Sequence, residues 1–517
     1  MTKGNIYKSE TWIVYGCFFS LCLLILFALP RGFDFTDEGL YLLLAKPSQE
    51  NFAGIFNYDL FFKLIHEFTG VEFGVIGMRI LRIFTHMVGA LFLRKFGMES
   101  RLFNRNKILS FFICFSCLVA SYGFLPQSLS YNHLTLLAGC IWIYAISKKN
   151  VERLDILWLG VSLGILFYAK ITACFLLSIL TLFWAMYKIF SNQIKKRFLI
   201  LLPIPFVFCE LLFLMILGES AIFRVLDAVP LRSGRPGYLW GNMVKNGIVG
   251  IFWTAIVSIP FSISGYFHES KSRSRAIFIL ASGILLYVAY ITTITAEYSH
   301  YLVFVAISLL AFESGRALRK GLTIKSYFLP TILMVLPYVL YFGSNIYFFR
   351  LSIHYLIFWY LAYLVLRYEV NSQVADRSYR FMSLAILVVV STGLWIFPSH
   401  YPPLHTANKD WFNGVDTIKV SSEQFELLQE LDSKMENMNH SNVLFVFANP
   451  GVPYLLNRSL PKTPLIWNEE DLKTYFNPNE VSAYVYNGFE KIPYFYWNKM
   501  DADTIRAGGF EYILLER

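Results

Sequence analysis

Charge is scarce in this chain. Asp, Glu, Lys and Arg together make up 15% of its 517 residues, where a soluble domain carries roughly a quarter. With 56% hydrophobic and 18% aromatic residues and a mean hydropathy of +0.50, a soluble globular protein is excluded. The composition is that of a polytopic membrane protein with room for one soluble domain. Cysteine stops early. Cys17, Cys22, Cys114, Cys117, Cys140, Cys174 and Cys209 all lie in apolar runs, and the hydrophilic C-terminal part has none. That excludes a disulfide framework and a cysteine zinc site. No small-residue cleavage site follows the first apolar run, so we read it as a retained transmembrane helix. Lys3 and Lys8 before it place the N-terminus in the cytoplasm. No internal repeat is present, as a transporter would tend to have.

The net charge of +10 is mostly a topology signal. Lys and Arg crowd every second loop: Arg94 to Lys107, Lys148 to Arg153, Lys195 to Arg197, Lys271 to Arg275, Arg316 to Lys325 and Arg367 to Arg380. The loops after spans three, five, nine and eleven are short and poor in both. This is the positive-inside pattern, and it argues against nucleic-acid binding. It predicts about thirteen spans, near 11–29, 73–93, 108–125, 133–147, 154–169, 171–187, 198–217, 247–266, 276–295, 301–315, 328–344, 352–366 and 381–397. An odd number puts the C-terminus outside, on the side of the first loop. The expected domains are a membrane domain over 1–398, with an outer loop at 31–73, and a soluble domain over 399–517.

The outer loops hold what chemistry there is. Directly after span one comes Phe33-Asp34-Phe35-Thr36-Asp37-Glu38-Gly39-Leu40-Tyr41. Two adjacent acids at the mouth of a transmembrane helix are either a helix start capped by Thr36 or a functional site. Tyr58 to Phe68 has the spacing of an interfacial helix. Arg79 opens span two. On the same face fall Tyr131, Asn132 and His133, then Lys170 between spans five and six, His300 before span ten, and Asn345 after span eleven. The fourth outer loop breaks the charge pattern. Its Arg224, Arg232, Arg235 and Lys245 stand among Gly, Pro and aromatic residues. That mixture suits an anionic lipid head group or diphosphate, or a plain interfacial anchor.

From Pro398 onward the pattern changes. Residues 400–420 read as linker, and Ser421 to Met438 as an amphipathic helix with Phe425, Leu428, Leu431 and Met435 on one face and Ser422 as cap. Val443–Phe447 and Tyr512–Leu515 read as strands of a small α/β domain. It contains no phosphate loop and no triad spacing. Asn457-Arg458-Ser459 is a glycosylation sequon by pattern.

The order of helix, Asp-Glu-Gly-x-Tyr loop, interfacial helix and Arg-led second span resembles the C-type (GT-C) membrane glycosyltransferases. These include protein O-mannosyltransferases, aminoarabinose transferases and oligosaccharyltransferases. The Phe-Tyr-Ala-Lys170 string and His300-Tyr301 are similar to further family motifs. The resemblance implies an all-α membrane domain with an extracytoplasmic α/β domain. It also implies an inverting transferase that takes a sugar from a polyprenyl-phosphate donor on the periplasmic or lumenal face of, most simply, a bacterial plasma membrane. The acceptor would be protein, lipid or glycan. Asp37 matches the general base and Glu38 its partner. Arg232, Arg235, Lys170 and Arg79 are the cations expected at the donor phosphate. Tyr41, Tyr131, Asn132, His133, His300 and Asn345 are expected to line the cavity. The chain departs from the family between spans three and four, where Ser130-Tyr131-Asn132-His133 stands and a second acid is missing. This leaves a divalent metal open, and leaves Asp34 or Asp59 to fill that role. The rival readings are a lipid-linked saccharide flippase and an O-antigen ligase or polymerase.

Overall fold

The computed structural model describes residues 3–516 except 101, 103–106, 125, 233–238, 372–375, 397–400, 437–442, 446–448, 468, 476–482, 488–500 and 508. Among the described residues seventeen α-helices precede the first strand: α1 (Lys3–Ala28), α2 (Asp37–Ala45), α3 (Asp59–Thr69), α4 (Val75–Glu99), α5 (Lys107–Val119), α6 (Tyr131–Ile146), α7 (Arg153–Ala169), α8 (Ile171–Phe190), α9 (Ile204–Ile216), α10 (Ala221–Arg232), α11 (Trp240–Tyr266), α12 (Lys271–Thr292), α13 (His300–Arg319), α14 (Ile324–Tyr341), α15 (Phe348–Leu351), α16 (Leu356–Asn371) and α17 (Asp376–Trp395). All thirteen predicted spans fall on helices. Lipid offers backbone groups no partner, so an apolar run there has to satisfy its own hydrogen bonds. Among the described residues ten helices are long and apolar enough to cross a membrane by length and composition. Two shorter apolar helices run over Lys107–Gly123 and Tyr131–Ile146, and α7 has seventeen residues.

Packing inside the membrane part rests on close helix contact. A methyl on Gly315 of α13 would stand 1.8 Å from Ser262 O of α11, and one on Gly265 would stand 2.0 Å from Phe312 O. Small residues are what allow such backbone approach where lipid supplies no hydrophobic drive. The segment Phe348–Asn371 is almost wholly buried and forms the centre of the bundle.

The part outside the bundle contains β1 (Lys409–Phe412), β2 (Thr417–Val420), α18 (Ser422–Glu436), β3 (Val443–Phe445), α19 (Gly451–Leu455), α20 (Glu469–Tyr475), β4 (Ala483–Asn487), β5 (Asp501–Ala507) and β6 (Phe510–Glu516). Its main sheet has the order β3-β4-β6-β5, with β3–β4 parallel and the other pairs antiparallel. Two expectations need correction. Residues 409–420 are not linker but an antiparallel hairpin. The cap of α18 is Ser421, whose Oγ accepts the Gln424 N–H at 3.1 Å while Gln424 Oε1 accepts the Ser421 N–H at 3.3 Å, a reciprocal capping box.

The outer loop and the C-terminal part are not separate bodies. One hydrophobic core takes Phe33, Phe35 and Leu40 to Leu44 from the loop together with Leu428, Val452, Leu455 and Leu472 from the C-terminal part. Main-chain bonds tie them: Lys419 N–H to Pro30 O at 2.6 Å, Gly32 N–H to Lys419 O at 2.9 Å, Gly451 N–H to Phe35 O at 2.7 Å and Phe52 N–H to Lys462 O at 2.8 Å. Helix α2 lies against α19 so closely that a methyl on Gly39 would stand 2.1 Å from Gly451 Cα. The described residues from Tyr401 onward therefore sit on the same side of the bundle as Asp37.

Candidate active site

The acid cluster after α1 divides into two locked carboxylates and one free one. Asp34 Oδ1 accepts from Thr36 N at 2.9 Å and Thr36 Oγ1 at 2.6 Å, and Oδ2 accepts from Glu38 N at 3.1 Å. Asp34, not Thr36, therefore satisfies the open N–H groups of α2. Burial still pushes the Asp34 carboxyl up, with those hydrogen bonds holding it back. Glu38 is fully buried. It accepts a fork from Arg79, Nε to Oε1 at 3.0 Å and Nη2 to Oε2 at 2.9 Å, and a bond from Ser128 Oγ at 2.5 Å.

Arg79 has nothing left to give. Its Nη1 donates to Ala28 O, Leu29 O and Arg31 O at 3.1, 2.8 and 2.9 Å, and Nη2 also reaches Gly32 O at 2.6 Å. Arg79 thus caps the C-terminal carbonyls of α1 and pins Glu38 above them. The expectation that it holds the donor phosphate is corrected, because all five of its N–H groups are spent. Glu38 likewise positions the loop and has no free oxygen to offer a reactant. The α4 helix that carries Arg79 is capped from the hairpin: Asp416 Oδ2 accepts the Ile76 N–H at 2.8 Å.

Asp37 differs from both. It is half-buried, and among the described residues no hydrogen bond or ion pair engages its carboxylate. Burial and the neighbouring Asp34 raise its pKa to about 7, against the pull of Arg350. Tyr58, at the head of α3, is buried with its Oη unpartnered. Its hydroxyl is pushed well above its usual value, by burial first and then by Asp59, Tyr131 and Asp37. Tyr131 links this group onward. Its ring lies 5.9 Å from Tyr41, stacks on Phe56 at 4.6 Å, and stands 5.8 Å from Lys170 Nζ. Lys170, in the break between α7 and α8, donates to Tyr341 O at 2.7 Å and Ser344 Oγ at 2.8 Å. Burial draws its ammonium down to about 7.

Other predicted residues separate. Asn132 and His133 are buried, and Asn132 Oδ1 and His133 Nε2 lack hydrogen-bond partners. His133 Nδ1 is spent on Ser130 N–H at 3.0 Å. Asn345 is exposed beside Ser344. His300 Nε2 pairs with Thr292 Oγ1 at 2.7 Å and Nδ1 meets Glu297 O, so both ring nitrogens are spent on the α12–α13 turn. Asp59 is taken by Arg224 at 2.9 and 2.7 Å, within an ion cluster that runs from buried Asp59 out through Lys63 to the partly exposed Glu219. It cannot serve as the second site acid. Arg235 lies outside the described residues, as does the side chain of Arg232, which ends α10.

Two residues were missed. Arg350, on the short α15, acts on Asp37 electrostatically and lies 3.9 Å from Glu297 Oε1. Tyr58 is the other. Arg350 stands in an apolar sequence that we read as the approach to a span. Only its place as a lone cation beside an outer turn could have marked it. As to a metal, among the described residues no three His, Cys, Asp or Glu side chains converge to hold one. With Asp34, Glu38 and Asp59 engaged, Asp37 alone is a poor oxygen cage for a divalent cation.

No family model matches this chain, and no curated protein matches it. Two solved structures align along nearly its whole length, both of ArnT from Cupriavidus metallidurans. One, bound to undecaprenyl phosphate, has a TM-score of 0.41 and 11% identity, covering 98% of this chain and 97% of that one. The apo form gives 0.40 and 11%, covering 98% of each chain.

Proposed function

We propose that this protein is a membrane glycosyltransferase that moves a sugar from a polyprenyl-phosphate donor to an acceptor hydroxyl or amine at the face bearing the extramembrane unit. The observation that carries the reading is Asp37. It is a carboxylate without a hydrogen bond at the bundle's edge, raised to about 7, beside two carboxylates that are locked. A general base works best with a pKa near the operating pH.

The step needs two kinds of charge. Asp37 takes the acceptor proton as the acceptor heteroatom attacks the anomeric carbon. The bond from that carbon to the phosphate oxygen breaks, and polyprenyl phosphate leaves with the electron pair. A single displacement inverts the anomeric centre. The leaving phosphate gains charge and calls for cations. Arg350 and Lys170 are the best placed, and Arg232 and Arg235 remain proposed contributors. Tyr58, Tyr131, Tyr41 and Asn132 supply aromatic walls and polar tips suited to a sugar ring. A bound phosphate would also raise Lys170 back toward its charged form.

The test uses full-length protein in detergent with a panel of polyprenyl-phosphate pentoses and hexoses, following release of polyprenyl phosphate. Turnover with one donor, lost in Asp37→Asn but with donor binding retained, is the expected result. Turnover in Asp37→Asn near that of the parent protein would refute the role of Asp37.

A further inference from the structure

A second polar cluster lies at the other end of the bundle. Helix α13 begins at the site end, where Tyr298 Oη reaches Gly123 O and Val389 O, and it ends with Glu313 and Arg316 far from Asp37. Glu313 is fully buried. It accepts from Arg316 Nη1 at 3.1 and 2.8 Å and from Arg367 Nη1 at 2.7 Å. Among the described residues, two guanidinium groups share this one carboxylate, which leaves one positive charge unmatched. Arg316 Nη2 is used on Asn371 Oδ1 at 2.9 Å. Arg367 Nε, by contrast, is buried with no hydrogen-bond partner, and an unmade bond of this kind is costly.

These residues line a cavity of about 420 Å³ between α11, α12, α13, α16 and α17, a volume within the ligand-pocket range of roughly 300–1,000 Å³. Its other walls are mostly apolar, with Ser282, Ser308 and Tyr363 the polar exceptions. Phe261 is buried at the inner wall, while Phe278 and Phe381 are exposed at the mouth, where a membrane helix meets lipid.

We propose that this cavity binds one anionic phospholipid from the leaflet opposite the extramembrane unit. The phosphate would accept from Arg367 Nε and meet the surplus charge, and an acyl chain would lie along the phenylalanine walls. A guanidinium edge matches a phosphate diester in shape and charge, and basic pockets between helices at such a depth suit lipid head groups. The apolar walls favour a lipid over a free phosphate ion. The cluster touches none of the residues given to the transfer reaction, so the proposal does not depend on that reading.

Native mass spectrometry of the full-length protein tests it, with dioleoyl phosphatidylglycerol and dioleoyl phosphatidylcholine supplied in equal amounts, and inorganic phosphate in a separate arm. The expected result is one tightly held phosphatidylglycerol, retained at least about tenfold better than the zwitterionic lipid. Arg367→Lys keeps a charge for Glu313 but loses the Nε–H, and should cut that preference to near unity. Ser282→Leu, at the cavity wall, leaves the ion cluster intact and should displace the chain. Unfolding temperature in lipid-free detergent checks that both variants are folded. Equal retention of the two lipids by the parent protein, or unchanged preference in both folded variants, would overturn the proposal. So would thermal protection by inorganic phosphate equal to that by the lipid.

Discussion

Three carboxylates within five residues, Asp34, Asp37 and Glu38, have three different fates, and the differences are measurable. Asp37 near pKa 7 predicts that transfer falls about tenfold per pH unit below neutrality, because the protonated acid cannot take a proton. A pH–rate profile checks this, and a flat acid limb would remove Asp37 as base. Stability has its own sign. The folded carboxyl keeps its proton up to about 7, whereas the unfolded one loses it near 3.8. The fold therefore binds more protons between those values, and stability declines as pH rises through that window. Asp37→Asn should remove this decline and leave the unfolding temperature no lower. Glu38→Gln should do the opposite. Weakening a buried, bidentate pair with Arg79 costs up to about 3 kcal/mol, so thermal unfolding in detergent should begin at lower temperature whatever happens to activity. Equal stability losses in the two variants would contradict the division of roles.

At the scale of elements, the hairpin β1–β2 is the piece that holds the site's frame. Its turn contains Gly414 at a φ of +91°, a backbone state that favours glycine. The turn presents Asp416 to the first N–H groups of α4. Asp416→Ala should cost about 1 kcal/mol, typical of a lost helix cap. Since α4 carries Arg79, it should also lower transfer. Gly451→Ala acts on the α2–α19 contact: the new methyl would stand 2.7 Å from a Phe33 ring carbon and from Phe35 Cα. Overpacking of this kind costs about 1–3 kcal/mol. A variant that unfolds at the parent temperature would show that the contact can give without cost.

For the whole molecule, the shared core makes the C-terminal part a structural partner of the outer loop. For the soluble domain expected over 399–517 this makes a prediction. A protease site introduced between Trp395 and Lys409 should nick the chain without releasing the fragment, because the core and main-chain bonds remain. Elution of the C-terminal fragment by itself in mild detergent would refute this. Ser48 Oγ and Ser459 Oγ are 2.8 Å apart. The pair Ser48→Cys and Ser459→Cys, which puts two sulfurs where the hydroxyls now meet, should therefore crosslink under oxidation. The native cysteines give little background, as none lies in the C-terminal part.

What the sequence determined was whatever depends on local composition. Apolar runs such as Thr11–Ala28 must be helical in lipid, and a short run such as Gly39–Ala45 cannot span. The alternation of basic loops then groups Asp37, Tyr131 and Lys170 on one face. It also made the acids after α1 the place to look, since charge at a helix mouth is costly without a use. What only the tertiary structure decided was which charge meets which. Asp37 and Glu38 are adjacent in sequence and equal in chemistry. Glu38 is fixed because α2 turns its carboxylate toward Arg79, 41 residues on, while Asp37, next to it, meets no such partner among the described residues. Arg79 and Arg350 both stand at the end of an apolar run in sequence. The chain folds the first against four carbonyls at and just after the α1 end and leaves the second to act on Asp37 electrostatically. Burial and long-range pairing set each group's charge and freedom, and neither is a property of the residue's neighbours in sequence.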